Sequence, residues 1–346
     1  PFKLTEKNGR WFGRGAADCK GNILMHLTAL RALGGEVPVN LKLIVEGAEE
    51  QGTGALEEYV EKHPKEFDAD AILICDVGNF AAGIPTVTAT LRGIANVDVT
   101  VRALKSPMHS GMFGGPAPDP VAALIGMLAT LRDANGNTTI RGVPNRQKWK
   151  GIDYPAAQFR KDANVVEGAD LLGSGSVAEM LWARPAVTVL GIDVPPVVGS
   201  TAAIQASAKA RLNLRVPPGM DAKKAQDALV SHLKAVAPWN VKVDVERVGL
   251  GEPFTGSLKG PAFDAMSAAM RDAFGKELTV EGQGGSIPLC NALQEAVPKA
   301  EIMLIGVEEP RCLIHAPNES VDPRELERMA VAEALFLERF AVAKAA

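Results

Sequence analysis

The stretch "VEGAEEQGTG" at residues 45–54 sets Glu49 and Glu50 side by side at the end of an apolar run. Two like charges crowded there repel, so something must offset the cost. Asp18 stands in "GRGAADCKG", a Gly-rich turn that opens a helical pattern, Asp76 closes "AILICD", and His315 lies in "LIHAPNES". Each has an ordinary use alone, as a helix cap, a charged turn, a strand terminator or a loop histidine. Together, carboxylate oxygens and an imidazole nitrogen form a donor set suited to Zn²⁺ or Mn²⁺. Two divalent cations about 3.5–4 Å apart can share a bridging carboxylate and polarise a bridging water. A neighbouring carboxylate outside the ligand set can then take that water's proton. On this chemistry one of the two glutamates binds metal and the other is a base.

The elements that must position these groups follow from periodicity. "GNILMHLTALRAL" (21–33) has helical spacing and a Gly-Gly stop, "VNLKLIVEG" (39–47) is a short apolar strand, "ALEEYVEKH" (55–63) a helix, and "AILICD" (71–76) a buried strand. Strand, helix, strand is the pattern of a mostly parallel sheet, whose sites lie beyond the carboxyl ends of strands. Glu49, Glu50 and Asp76 are expected at such ends. After residue 90 the pattern changes. "IANVDVTVR" (94–102), "QASAKARLNLR" (205–215) and "VKVDVERV" (241–248) alternate with period two, as antiparallel strands with one wet face do. The helices "DPVAALIGMLATLRD" (119–133) and "DAKKAQDALVSHLKAV" (221–236) accompany them, while residues 135–200, rich in Gly and Pro, yield no firm element. From about 253 the first pattern returns with "PAFDAMSAAMRDAF", "EIMLIGV" (301–307) and a closing helix, for which "DPRE" (322–325) supplies an Asp cap and a Glu positioned for a capping box. The fold class is therefore α/β: a mostly parallel-sheet catalytic domain, residues 1–90 and 253–346, with an inserted α+β lid or dimerisation domain, residues 91–252.

Composition limits the function. Net charge is −4 with no long basic block, which gives a nucleic-acid or membrane-surface role little electrostatic support. No apolar run approaches a membrane span. Four cysteines, at 19, 75, 290 and 312, lack paired spacing, which argues against a disulfide framework and for a reducing, cytoplasmic setting. The chain opens on Pro1 rather than Met, as though something precedes it in the full protein.

In order along the chain, "GRGAADCKG", "EGAEEQGTG", "ICDVGN", "MHSGMFGG", "GGSIP" and "HAPNES" resemble the motifs of the di-zinc exopeptidases and deacylases typified by carnosinase, acetylornithine deacetylase and glutamate carboxypeptidase. The likeness covers nearly the whole chain and is strongest to the carnosinase-like dipeptidases. It implies two divalent ions, zinc first, with manganese or cobalt as alternatives. Asp18 would bridge the two metals, Glu50 and His315 would bind one, Asp76 the other, and Glu49 would be the general base. His109, in "SPMHSG", would stabilise the oxyanion from a partner subunit, which implies a homodimer through the inserted domain. Arg215, in "LNLRVPPG", would hold the substrate's free carboxylate, a role for a planar two-pronged donor. Gly285 and Ser286 would contact the same end of the substrate. Turn capping, a wet strand face and an ordinary turn are the bland uses of His109, Arg215 and Ser286. His26, His63 and His232 fall in helical patterns and read as structural, as do Cys75, Cys290 and Cys312.

Three departures bear on activity. Members of the family carry an upstream His-x-Asp element that supplies a histidine to the metal held by Asp76, and none precedes Asp18 here. Cys19 stands where an acidic or amide residue usually follows the bridging Asp, and reads mainly as a support to the site. The segment "TAAIQAS" before Arg215 also lacks the family's Asn and Pro pattern. The expected reaction is hydrolysis of an amide bond in a dipeptide by a metal-bridging water, with Glu49 as base. The alternatives are an N-acyl-amino-acid deacylase and, in another class, a catalytically incomplete fragment or metal-binding scaffold.

Overall fold

Two separate hydrophobic clusters form from this sequence, and the chain divides accordingly. The computed structural model describes residues 1–51 and 54–345, and the side chains of Glu50 and Ala345 lie outside that description. One unit comprises residues 1–90, 255–283 and 287–346, and the other residues 91–254 and 284–286.

In the first unit the helices Lys20–Ala32 and Pro261–Phe274 both pack on Pro323–Ala345. Their inward stripes bury Met25, Met266, Met270, Met329 and Phe336, because side chains three and four apart share one helix face. A five-stranded sheet runs in the order Phe254–Thr255, Thr86–Leu91, Glu301–Leu304, Ala71–Ile74, with Thr279–Gln283 beside Thr86–Leu91. It is mixed: Glu301–Leu304 is parallel to Ala71–Ile74 and antiparallel to Thr86–Leu91. Asp322 caps the last helix through Arg324 N. Glu325, placed by its spacing for a capping box, directs its carboxylate to Asn79 Nδ2, Gly83 N and Arg328.

The run "VNLKLIVEG" corrects an expectation. Residues 40–46 form no strand, and Leu41, Leu43, Ile44 and Val45 are 45–60% exposed. An apolar run becomes a strand only where a neighbouring chain completes its ladder, and no described segment pairs with this one. Glu49 therefore follows an extended segment, in the short 3₁₀ turn Glu49–Gln51, and not a strand end.

The second unit is built on a four-stranded antiparallel sheet in the order Lys242–Gly251, Gly93–Arg102, Ser207–Val216, Ala186–Asp193. Alternation sorts its two faces. Val97, Val99, Val101, Leu212 and Leu214 are buried against the helices Pro120–Ala129 and Ala222–Ala235. Asp119 caps the first helix through Val121 N and Ala122 N, and Asp221 the second through Lys224 N. The opposite face is polar. Asp98 is held by Arg211 at 2.7 Å and Lys209 at 2.8 Å, which lowers its pKa to about 2. Ala186–Asp193, from the stretch that yields no element by pattern, is an edge strand with Val189, Leu190 and Ile192 exposed.

Glu281, on the strand Thr279–Gln283, is buried, and burial pushes its pKa up to about 8 against hydrogen bonds from Gln283 and Thr88. Below the ordinary glutamate value of 4.5 both folded and unfolded chains hold the proton. As pH rises from there towards 8, the unfolded chain ionises first, so stability falls. Glu281→Gln is expected to flatten that slope and to raise stability at pH 8 by up to about 5 kcal/mol. Denaturant unfolding of both proteins at pH 5 and pH 8 checks this, and equal slopes would remove Glu281 as the cause.

Candidate metal centre

The loop between the strand Arg10–Phe12 and the helix Lys20–Ala32 is shaped by an acid from far along the chain. Glu319, 3% exposed, accepts from Gly15 N at 2.8 Å, from Ala17 N and Asp18 N at 3.1 Å each, and from Arg14. Burial raises its pKa, but the bonds from Gly15, Asp18, Arg14 and Ala17 outweigh burial and hold it below the ordinary range. Buried Ala16 and Ala17 leave space for the turn, and Asp18 is presented at its end. His315 Nε2 lies 2.9 Å from Asp18 Oδ2. The His315 loop carries Leu313, His315 and Asn318 at φ 52°, 59° and 68°, a sparsely populated region for such residues that clusters at functional sites.

Asp76 arrives from the carboxyl end of Ala71–Ile74, and Glu308 from that of the parallel strand Glu301–Leu304. The two segments cross at glycines. A Cβ on Gly78 would fall 1.9 Å from Glu308 O, and one on Gly306 1.9 Å from Val77 O. Asn79 N donates to Glu308 O at 2.7 Å. Asn22 ties the helix to this crossing, accepting from Val307 N at 2.9 Å and donating to Cys19 Sγ at 3.3 Å. Cys19 Sγ in turn donates to Asp76 Oδ1 at 3.2 Å. Burial first, and the Asp76 carboxylate second, push the Cys19 thiol far above its usual range.

Donor atoms of Asp18, Cys19, Asp76 and Glu308 thus lie within 4.8 Å of one another, with His315 on Asp18. Three carboxylates gathered this closely repel, and a divalent cation bound among them would offset that repulsion. Oxygen donors with one imidazole fit a metal of the zinc or manganese kind.

The structure brings Asp18, Asp76 and His315 together and leaves other candidates elsewhere. Glu49 is exposed and is not among the converging donors. Glu50 shares its turn, and its side chain lies outside the described residues. In the second unit, His109 ends the short strand Met108–His109, and its Nδ1 accepts from Gly111 N at 3.1 Å. That bond leaves the ring proton of the neutral tautomer on Nε2, ready to be donated. Arg215 is half-buried on Ser207–Val216, Gly285 is exposed and Ser286 half-buried. His26 binds Glu333 at 2.7 Å and His232 accepts from Arg141 N, both structural uses.

Sequence reasoning missed Glu308 and Glu319. Glu308 carried a readable signal, since Glu308–Glu309 repeats the crowding of Glu49–Glu50 after an apolar run. Glu319, inside "HAPNES", had none.

The profile of peptidase family M20/M25/M40 matches residues 1–339, and the chain belongs to this family. It is 46% identical over 343 residues to the cysteinylglycine-S-conjugate dipeptidase of Corynebacterium striatum, covering 97% of this chain and 75% of that protein. It is 30% identical over 346 residues to the human β-Ala-His dipeptidase, covering 93% and 67%. Its fold is similar to the crystal structure of human carnosine dipeptidase 1, with TM-score 0.77 and 28% identity over 97% of this chain and 74% of that one. Both polypeptides combine sheets and helices in the mixed α/β arrangement described above. Among the described residues no helix is long and apolar enough to cross a membrane.

Proposed function

We propose that this chain, a metal-dependent dipeptidase of its family, cleaves its substrate at a pair of zinc ions held by Asp18, Glu50, Asp76 and His315, with Glu49 as general base. The observation that supports this most is the convergence of Asp18 and Asp76 with His315 on Asp18. When bound, the ions lower the pKa of water and polarise the scissile carbonyl. Glu49 takes the proton from the attacking water and returns it to the departing amine. His109 donates Nε2–H to the developing oxyanion, and Arg215 receives the substrate carboxylate, assisted by Gly285 and Ser286. Cys19 orients Asp76 through its Sγ bond to Oδ1, and Glu308 adds a carboxylate to the cluster that motif order did not supply.

The substrate class we infer is a dipeptide ending in glycine, cysteinylglycine or its S-conjugates, on the 46% likeness to the Corynebacterium striatum enzyme. The unit of residues 91–254 serves as the lid and dimerisation domain, and the exposed apolar edge strand Ala186–Asp193 is its pairing edge. Four free thiols fit a cytoplasmic setting.

One preparation tests the reading. Metal-loaded enzyme should hydrolyse cysteinylglycine, lose that activity on chelation, bind two metal equivalents and sediment as a dimer. Hydrolysis of N-acetyl amino acids alone would make it a deacylase. Fewer than two metals with no hydrolysis would make it a scaffold.

A further inference from the structure

We infer that Arg92 is a second carboxylate-binding residue, which grips the C-terminal carboxylate of the dipeptide together with Arg215. The inference rests on the dipeptidase reading and on the role given there to Arg215. It adds a side chain that no motif singled out.

Strand register brings the two arginines together. Gly93 pairs with Val216 and Ile94 with Arg215 across antiparallel strands. Arg92, the one residue between the strands Thr86–Leu91 and Gly93–Arg102, adjoins that register position and lies near enough to Arg215 for the two charges to interact. Arg215 stands on the polar face of the sheet, and further along it the buried polar groups are matched. Asp98 is held by Arg211 and Lys209, and Asn213 Nδ2 donates to Asn96 Oδ1 at 2.6 Å. At the Arg92 end the matching stops. Among the described residues neither the Arg92 nor the Arg215 guanidinium has a hydrogen bond or an acidic partner.

The mismatch is costly where it stands. Arg92 is 7% exposed, and its Nε is buried with no hydrogen-bond partner. Burial first, and the Arg215 charge second, pull its pKa down to about 10. An unpaired buried guanidinium is among the less favourable groups a protein can hold, unless an anion completes it. Gly284 closes one side of the place. A Cβ there would sit 2.7 Å from Arg92 Nη2, so a side chain at 284 would push the guanidinium aside. Two neighbouring planar forks match a carboxylate, which accepts at both oxygens.

The test compares a glycine-ending dipeptide with its C-terminal amide, using metal-loaded full-length chain. Arg92→Met should raise KM for the acid about tenfold or more, with a much smaller change in kcat and little change for the amide, so that acid-over-amide preference shrinks. Arg92→Lys, which keeps charge without the fork, should fall between. Since Arg92→Met removes an uncompensated charge, its melting temperature should hold or rise. If it misfolds, Gly284→Ala crowds the same guanidinium and should shrink the same ratio. Unchanged preference, or an equal loss on acid and amide, would overturn the role of Arg92. Calorimetric binding of a dipeptide with a reduced, uncleavable amide bond, as acid and as amide, gives the answer without turnover. If wild-type chain prefers the acid there and Arg92→Met does not, the inference stands even where hydrolysis fails and the dipeptidase reading falls.

Discussion

Glu49→Gln is expected to lower kcat by roughly 10²–10⁴-fold while metal content stays where it is in the wild type. The amide has the shape of the acid but cannot accept and return a proton at neutral pH. Glu49 is exposed in its 3₁₀ turn and stands outside the converging donors, so its change should leave the ligands undisturbed. Turnover on cysteinylglycine measured beside metal analysis separates the outcomes. Surviving activity would remove Glu49 as the base. Activity and metal lost together would make Glu49 a ligand instead.

The second large effect is expected at Glu319, which no described cation-binding group needs as a donor. Its carboxylate satisfies three backbone N–H groups of the Asp18 loop from a site that is 3% exposed. In Glu319→Ala those donors lose their acceptor inside the protein, at about 1–3 kcal/mol for each left unpaired. A total near 3–5 kcal/mol places the change among the severe class of single substitutions. Asp18 loses its anchor in the same step, and metal affinity should drop about 10–100-fold, as for other outer supports of metal ligands. Glu319→Gln keeps one acceptor oxygen and should lose roughly half as much stability. Thermal unfolding and a metal titration measure both, and a variant with wild-type melting temperature and wild-type affinity would refute the anchoring role.

The local elements were legible wherever pattern and burial agree. Val97, Val99 and Val101 alternate because that strand has one dry face, and Asp119 and Asp221 cap helices because their carboxylates reach the first free N–H groups. Ala186–Asp193 was hidden because an exposed edge needs no alternation. The run at 39–47 misled for the converse reason: apolar character records a preference for burial, and a ladder also needs a neighbour. At the centre, Asp18, Asp76 and His315 could be named from motif order. Glu308 could not be joined to them, because only the parallel register of Glu301–Leu304 with Ala71–Ile74 brings it to Asp76 across more than two hundred residues. Arg92 looked like any basic residue next to a strand until its lack of a partner became visible.

The clamp on the Asp18 loop also fixes when the centre can exist. Gly15 and Glu319 are 304 positions apart, and a ribosome adding about 5–20 residues each second needs roughly 15–60 s to travel that distance. Throughout that interval the nascent chain displays Asp18 on a loop whose backbone donors face water. The Asp18 loop is therefore clamped only late in synthesis, after the segment that holds it has emerged, and a metal that needs the clamped loop would bind no earlier than that.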